Sequence, residues 1–188
     1  TNLFPIVVIG SFPYLWSVGN WDQWIKNSIV LSTNSFSFTE TVDTITPQST
    51  TVNTLPLLLN VPSLKESIDI EKTRKYKISN LTLSISNANY NSKRFHEIVE
   101  EKPESFVTKS LINTECRIFW WSPSTTWIEP IDITGETSPE TSALQVYYGI
   151  IRKYETGLDT VKLFIEDRSQ TKFHKDLPLD ENYLKGEN

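Results

Sequence analysis

Short apolar segments rich in β-branched and aromatic residues recur along the chain, and turn residues separate them roughly every 8–14 positions. The clearest segments are residues 3–11, 76–86, 111–121 and 144–154. None of them keeps a helical repeat of apolar residues for more than about ten positions. This pattern predicts an all-β protein of about seven to nine strands, folded as an antiparallel barrel or sandwich with minor helices.

Two short helices are expected within this β framework, near residues 92–101 and 167–176. Ser92 would cap the first helix, because a serine hydroxyl accepts a hydrogen bond from a free backbone N–H of the first turn. The apolar side of that helix would consist of Phe95, Ile98 and Val99. The second helix would begin at residues 167–169, with Asp167 as its cap.

Several connections between strands are also predicted. Residues 28–31 and 35–39 are expected to pair around Thr33 and Asn34, and residues 40–55 to form a loop or a ragged edge strand. A hairpin turn is expected at residues 155–159, between the last two strands.

The segment 76–86 changes its alternation halfway along. Tyr76 and Ile78 share one face of an extended chain, whereas the apolar residues from Leu81 onward fall on the other parity. A shift of one residue turns every later side chain to the opposite face unless a bulge absorbs it. We therefore expect one bulged strand, with the bulge near Ser79 and Asn80.

Charge and cysteine content exclude several classes of protein. The net charge of −5 and the pI of about 5.1 argue against nucleic-acid binding, which needs a basic surface to displace counterions. No stretch approaches the roughly 18 apolar residues of a membrane-spanning helix, so no membrane association is expected. The single cysteine, Cys116, excludes an internal disulfide and a cysteine-rich metal site, and its apolar surroundings predict a buried thiol.

Candidate catalytic groups are sparse. His96 and His174 each lack a second histidine or cysteine at metal-ligand spacing. Adjacent acids occur at residues 100–101 and 166–167, but neighbouring residues of a strand point to opposite faces and cannot flank one glycosidic bond. Phosphate-binding glycine motifs and a nucleophile elbow are absent from the sequence. We therefore expect no enzyme activity, no cofactor and no metal. The enzyme alternative is a cell-wall glycosidase with Glu101 or Glu166 as its acid.

Aromatic residues are the remaining candidates for a functional role. The chain has six Trp, seven Tyr and nine Phe beside only six Gly. Tryptophan is enriched at protein–protein contacts, which favours roles in the core and in contacts between subunits, with interface roles for one set of residues. That set is Trp16, Trp21, Trp24, Trp121 and Trp127. The alternative is a sugar-stacking platform that would use Trp16, Trp21, Trp24 or Trp127.

Three stretches resemble the tail hub and baseplate (tail-tip) structural proteins of tailed bacteriophages, of the AT-rich marine type. They are residues 55–72 (LPLLLNVPSLKESIDIEK), 74–86 (RKYKISNLTLSIS) and 148–178 (YGIIRKYETGLDTVKLFIEDRSQTKFHKDLP). Between them, a short "RF" segment at Arg94 and Phe95 and a strand of the LINTECRIFWW type follow the same scheme.

The resemblance implies an antiparallel β domain over residues 55–178. The sequence pattern adds N-terminal strands and a polar loop before it, over 1–54, and a polar tail after it, over 179–188. It also implies a virion subunit that forms a ring with identical copies and contacts other phage tail proteins. The implied position is a hub, a baseplate or a connector, and no cofactor is implied. The alternative within the same setting is a receptor- or carbohydrate-binding β module of a phage tail, with a glycan as its ligand.

Overall fold

A computed structural model describes residues 3–11, 26–41, 49–61, 63, 66–69, 75–78, 80–122, 127–128 and 143–168. Strands dominate this part of the chain, and one short helix, α1 (Phe95–Glu101), accompanies them. The strands are β1 (Phe4–Ile9), β2 (Ile29–Ser32), β3 (Ser37–Thr41), β4 (Ser49–Asn53), β5 (Leu58–Asn60), β6 (Glu66–Asp69), β7 (Lys75–Ile78), β8 (Leu81–Ser86), β9 (Glu115–Trp121), β10 (Trp127–Ile128), β11 (Ala143–Thr156) and β12 (Thr160–Asp167).

Seven strands form one antiparallel sheet in the order β2-β1-β9-β11-β12-β8-β5, and this sheet curls into a nearly closed barrel. The two ends of the sheet meet at Leu55, just before β5. The Leu55 amide donates to the Val30 carbonyl at 2.8 Å, and the Ser32 amide donates to the Leu55 carbonyl at 2.9 Å. These bonds satisfy backbone groups that an open edge strand would leave exposed. The predicted antiparallel β fold is confirmed.

The barrel interior explains why the sequence alternates. In β8 and β12 every second residue is apolar and buried, whereas the intervening residues are polar or lie at the surface. Burying one face of each strand removes that apolar area from water, which is the main favourable term in folding. Residues of these two strands that point inward are Leu81, Leu83, Ile85, Val161, Leu163 and Ile165.

A second apolar cluster lies on the outer face of the barrel. Strands β1 and β9 are buried on both faces; β1 is apolar at every position, and β9 is apolar apart from Glu115 and Arg117. Val52 of β4 packs into this cluster, and the Phe36 ring stacks on the Trp121 ring with 4.9 Å between their centroids. The three-stranded sheet β10-β3-β4 therefore supplies a second layer over this side of the barrel.

Helix α1 packs its apolar side on the barrel core as predicted, with Phe95, Ile98 and Val99 buried. Its cap differs from the prediction. Arg94 is the N-cap residue, and the Arg94 amide donates to the Glu97 carboxylate at 2.6 Å. Ser92 lies in the preceding turn at a φ of 66°, a left-handed conformation that precedes the helix and does not cap it.

Three local predictions are wrong. The change of alternation near residues 79–80 is not a bulge, because β7 pairs with β6 in a separate two-stranded sheet and β8 belongs to the barrel. Strands β2 and β3 do not pair with each other; β2 pairs with β1, and β3 pairs with β4. Asp167 does not cap a helix, because it is the last residue of β12, and residues 169–176 lie outside the described part of the chain.

Other predictions agree with the structure. Residues 155–159 connect β11 to β12 as the expected hairpin, and β4 within the predicted loop or edge strand lies at the edge of its sheet. The strand predicted over 111–121 begins only at Glu115, because residues 111–114 form turns in which Leu111 and Asn113 have positive φ. Strands β1 and β2, from the predicted N-terminal part, share one sheet with five strands that follow residue 55, namely β5, β8, β9, β11 and β12.

Candidate functional site

A hairpin tip, defined as residues 155–159, projects from the barrel at the end of β11. The pairing of β11 with β9 ends at Ile150, which lies opposite the first residue of β9, so the rest of β11 extends beyond its neighbour. Leu158 is 84% exposed and lies between Gly157 and Asp159. Hydrogen bonds from Asn87 hold the tip, one from its side chain to the Gly157 carbonyl and one from its amide to the Asp159 carbonyl, both 2.9 Å. The tip thus presents an apolar side chain on a supported turn.

A groove with a volume of about 390 Å³ lies between β2, β4, the turn at residues 90–93 and α1. We call it the lysine-rimmed groove. Its apolar walls are Ile29, Val30, Val52, Leu55 and Ile98, and the charged residues at its rim are Lys26, Lys93, Lys102 and Glu101. Three ammonium groups against one carboxylate make the rim positive on a chain whose net charge is −5.

The lysines of the groove are held in different ways. Lys93 forms an ion pair with Glu101, and both side chains remain about half exposed. The Lys102 ammonium donates to the Lys26 carbonyl at 3.0 Å. Burial lowers the pKa of Lys102, and the neighbouring Glu101 carboxylate partly opposes this effect. The groove is therefore a partly desolvated site in which an incoming carboxylate would be favoured by charge.

The hairpin tip and the lysine-rimmed groove lie on opposite sides of the barrel, at the same end. Starting from β2, strand β11 is the third strand in one direction, through β1 and β9. In the other direction β12 is also the third strand, through β5 and β8, with the Leu55 bridge closing the circuit. Because β2, β1, β9 and β11 are each antiparallel to the next, β2 begins at the end where β11 stops.

A buried ionic network lies on the outer face of β9 and β11. The Glu115 carboxylate, 7% exposed, pairs with Arg168 and, at 3.4 Å, with Arg117. Both guanidinium groups lie over the Tyr148 ring, at 4.6 and 5.2 Å from its centroid, and Arg168 also donates to the Tyr148 hydroxyl. Burial and the Glu115 carboxylate raise the pKa of Tyr148 to about 12, with the two arginines opposing them. This network fixes the residue that follows β12 against the barrel wall.

The acids and histidine considered as catalytic candidates lie on separate elements. Glu166 pairs with Arg152 at 2.6 Å on the outside of β12, whereas Glu101 pairs with Lys93 at the end of α1. His96 is exposed on α1, and His174 lies outside the described residues. Among the residues that the structure describes, no group of three or more His, Cys, Asp or Glu side chains is placed to hold a metal ion.

The tryptophans predicted to form interfaces are only partly described. Trp121 is 5% exposed and stacks in the second apolar cluster, so in the isolated chain it packs internally. Trp127 lies in β10, and its side chain is not described. Trp16, Trp21 and Trp24 lie outside the described residues, so the interface role of this set stays a prediction.

Sequence reasoning missed both the tip and the groove. The groove lysines are dispersed along the chain, at Lys26, Lys93 and Lys102, and no sequence spacing links them. The tip had a weak signal, because a leucine between Gly157 and Asp159 in a predicted turn has no apolar neighbour to pack against. An apolar residue at a turn tip therefore marks a candidate contact point.

No protein-family model matches the chain, no curated protein is detectably similar to it, and no solved structure shares a detectable likeness with it. Among the residues that the structure describes, no helix is long and apolar enough to cross a bilayer.

Proposed function

We propose that this protein is a structural subunit of a bacteriophage tail, at the hub, baseplate or connector, which assembles into a ring of identical copies. It works in the virion without a cofactor, through contacts with its own copies and with other tail proteins.

The observation that carries this proposal is the location of the segments that resemble tail hub proteins. The LINTECRIFWW-type segment contains β9, residues 148–178 contain most of β11 and all of β12, residues 74–86 contain β7 and β8, and residues 55–72 contain β5 and β6. Five of these strands are consecutive neighbours in the barrel sheet, in the order β9-β11-β12-β8-β5, whereas β6 and β7 pair in a separate sheet. Segments that are far apart in sequence thus build one continuous surface, which favours a shared architecture over scattered similarity.

The surface of the chain supports a role in assembly. Among the described residues, large apolar side chains exposed to solvent are Leu3, Leu59, Ile112, Tyr154 and Leu158. Most of them are single, but Tyr154 and Leu158 lie together on the β11–β12 hairpin. Exposed aromatic and aliphatic anchors are typical of contacts between protein subunits.

Light scattering coupled to size-exclusion chromatography tests the proposal on the full chain. We expect a defined oligomer whose population rises with protein concentration, and closed rings in negative-stain electron micrographs. A species that remains monomeric across the accessible concentration range would remove the proposal. Binding of a purified glycan by such a monomer would instead favour the carbohydrate-binding alternative.

A further inference from the structure

We infer that neighbouring copies of this chain join head to tail, with the hairpin tip of one copy seated in the lysine-rimmed groove of the next. This inference rests on the proposed function and deepens it, because it names the two surfaces that would form the ring contact. The occupant of the groove is a second copy of this chain.

Chemical complementarity is the first argument. The groove has apolar walls and a rim with three lysines and one glutamate. The tip offers Leu158, which is 84% exposed, between the carboxylates of Glu155 and Asp159. Glu155 pairs with Lys153 at 2.6 Å, so Asp159 is the carboxylate with which we expect the rim to pair. An apolar anchor flanked by charge of the opposite sign matches the usual arrangement of an interface core and its rim.

Size is the second argument. The turn between β11 and β12 consists of residues 157–159, and the four carbon atoms of the Leu158 side chain occupy roughly 100 Å³, by comparison with about 30 Å³ for one water molecule. The groove, at about 390 Å³, has room for that side chain. Gly157 leaves the tip narrow, because it adds no side chain beside Leu158.

Placement is the third argument. A heterologous contact uses two different patches on each copy, and it closes into a ring only if the patches face different neighbours. The tip and the groove lie three strands apart in both directions around the barrel, and both lie at one end. One copy can therefore insert its tip into one neighbour while its groove receives the tip of another.

A mixing experiment on the full chain separates this contact from other modes of assembly. The tip variant is Leu158→Asp, with Leu158→Ser as a second version, and the groove variant is Lys26→Glu with Lys93→Glu. All of these positions are exposed, so the variants should keep the fold, which far-UV circular dichroism checks. Leu59→Asp is the matched control, because Leu59 is an exposed leucine that lies outside the tip.

We expect the tip variant alone to lose at least about tenfold in its apparent self-association constant, as the loss of one buried leucine predicts. The groove variant should also lose at least about tenfold, because its reversed charges repel the carboxylates of the incoming tip. Leu59→Asp should assemble like the wild type. A mixture of tip and groove variants should form a 1:1 complex and nothing larger, because only one functional tip–groove contact remains in each pair.

The inference is overturned if both variants assemble like the wild type, and the proposed ring-forming function then still stands. It is also overturned if the variants are monomeric and their mixture stays monomeric. A wild-type chain that is monomeric at every concentration removes the proposed function and this contact together.

Discussion

Gly149 is a buried position at which even the smallest side chain is expected to destabilise the fold. It is buried in the middle of β11, between Cys116 of β9 and Asp167 of β12. A methyl group built on its Cα would lie 2.5 Å from the Glu166 carbonyl oxygen and 2.6 Å from the Ile165 side chain. The first of these obstacles is backbone, so it cannot rotate away, and Gly149→Ala must push β12 outward.

The expected cost follows from two opposing terms. Overpacking a well-packed core typically costs about 1–3 kcal/mol, and an obstacle of backbone places this case near the upper limit. Alanine also restricts the unfolded chain, which returns about 0.4–1 kcal/mol. We expect Gly149→Ala to lower the free energy of unfolding by about 2 kcal/mol. For a domain of this size that loss lowers the Tm by roughly 4–8 °C.

Gly157→Ala provides the matched control, since it adds the same methyl group at the exposed hairpin tip. The closest atom there is the Thr160 carbonyl oxygen at 3.2 Å, and an exposed turn can adjust by a few tenths of an ångström. We expect this variant to stay within about 0.5 kcal/mol of the wild type. Urea unfolding followed by tryptophan fluorescence measures both values. Equal losses for the two variants, or a Gly149→Ala midpoint like that of the wild type, would refute the packing argument.

Three further results are expected. Glu115→Gln should lower the free energy of unfolding by about 2 kcal/mol, because it removes the carboxylate that pairs with Arg168 and Arg117. The partial exposure of the two arginines limits the loss, and an unchanged midpoint of urea unfolding would contradict the prediction. The raised pKa of Tyr148, about 12, predicts a contribution to stability that is fully present below pH 10 and declines as the pH rises from about 10 to 12. Thermal unfolding of the wild type and of Tyr148→Phe across that pH range measures this contribution. Burial raises the pKa of the Cys116 thiol, so a thiol reagent should label Cys116 only as the chain unfolds, and fast labelling of the native protein would show that the barrel opens locally.

Much of the barrel could be predicted from the sequence, because a strand with one buried face has apolar residues at alternate positions. Strands β8 and β12 illustrate this, with buried residues at every second position. Helix α1 was predictable for the same reason, since Phe95, Ile98 and Val99 recur at helical spacing. In these segments local pattern and tertiary burial agree, which is the condition under which sequence reasoning succeeds.

The rest depended on contacts between distant residues. A change of parity between Ile78 and Leu81 looks the same in sequence whether a bulge absorbs it or the chain moves to another sheet. Strand β2 is apolar on both faces, so its pattern did not identify its partner. That partner is β1, which is separated from β2 by residues 10–28. The lysine-rimmed groove has no sequence signature at all, because the fold alone brings its lysines together.

The distribution of the second apolar layer suggests which side of the barrel faces neighbouring copies. On the outer face of β1 and β9, residues such as Ile6, Val8 and Phe119 are at most 1% exposed beneath the second layer. On the outer face of β8 and β12, Thr82 and Lys162 are exposed. A subunit that shields one side of its barrel internally has the other side, with its projecting hairpin, available for assembly. In the proposed ring, this available side, which β8, β12 and the hairpin at the end of β11 build, would face the neighbouring copy.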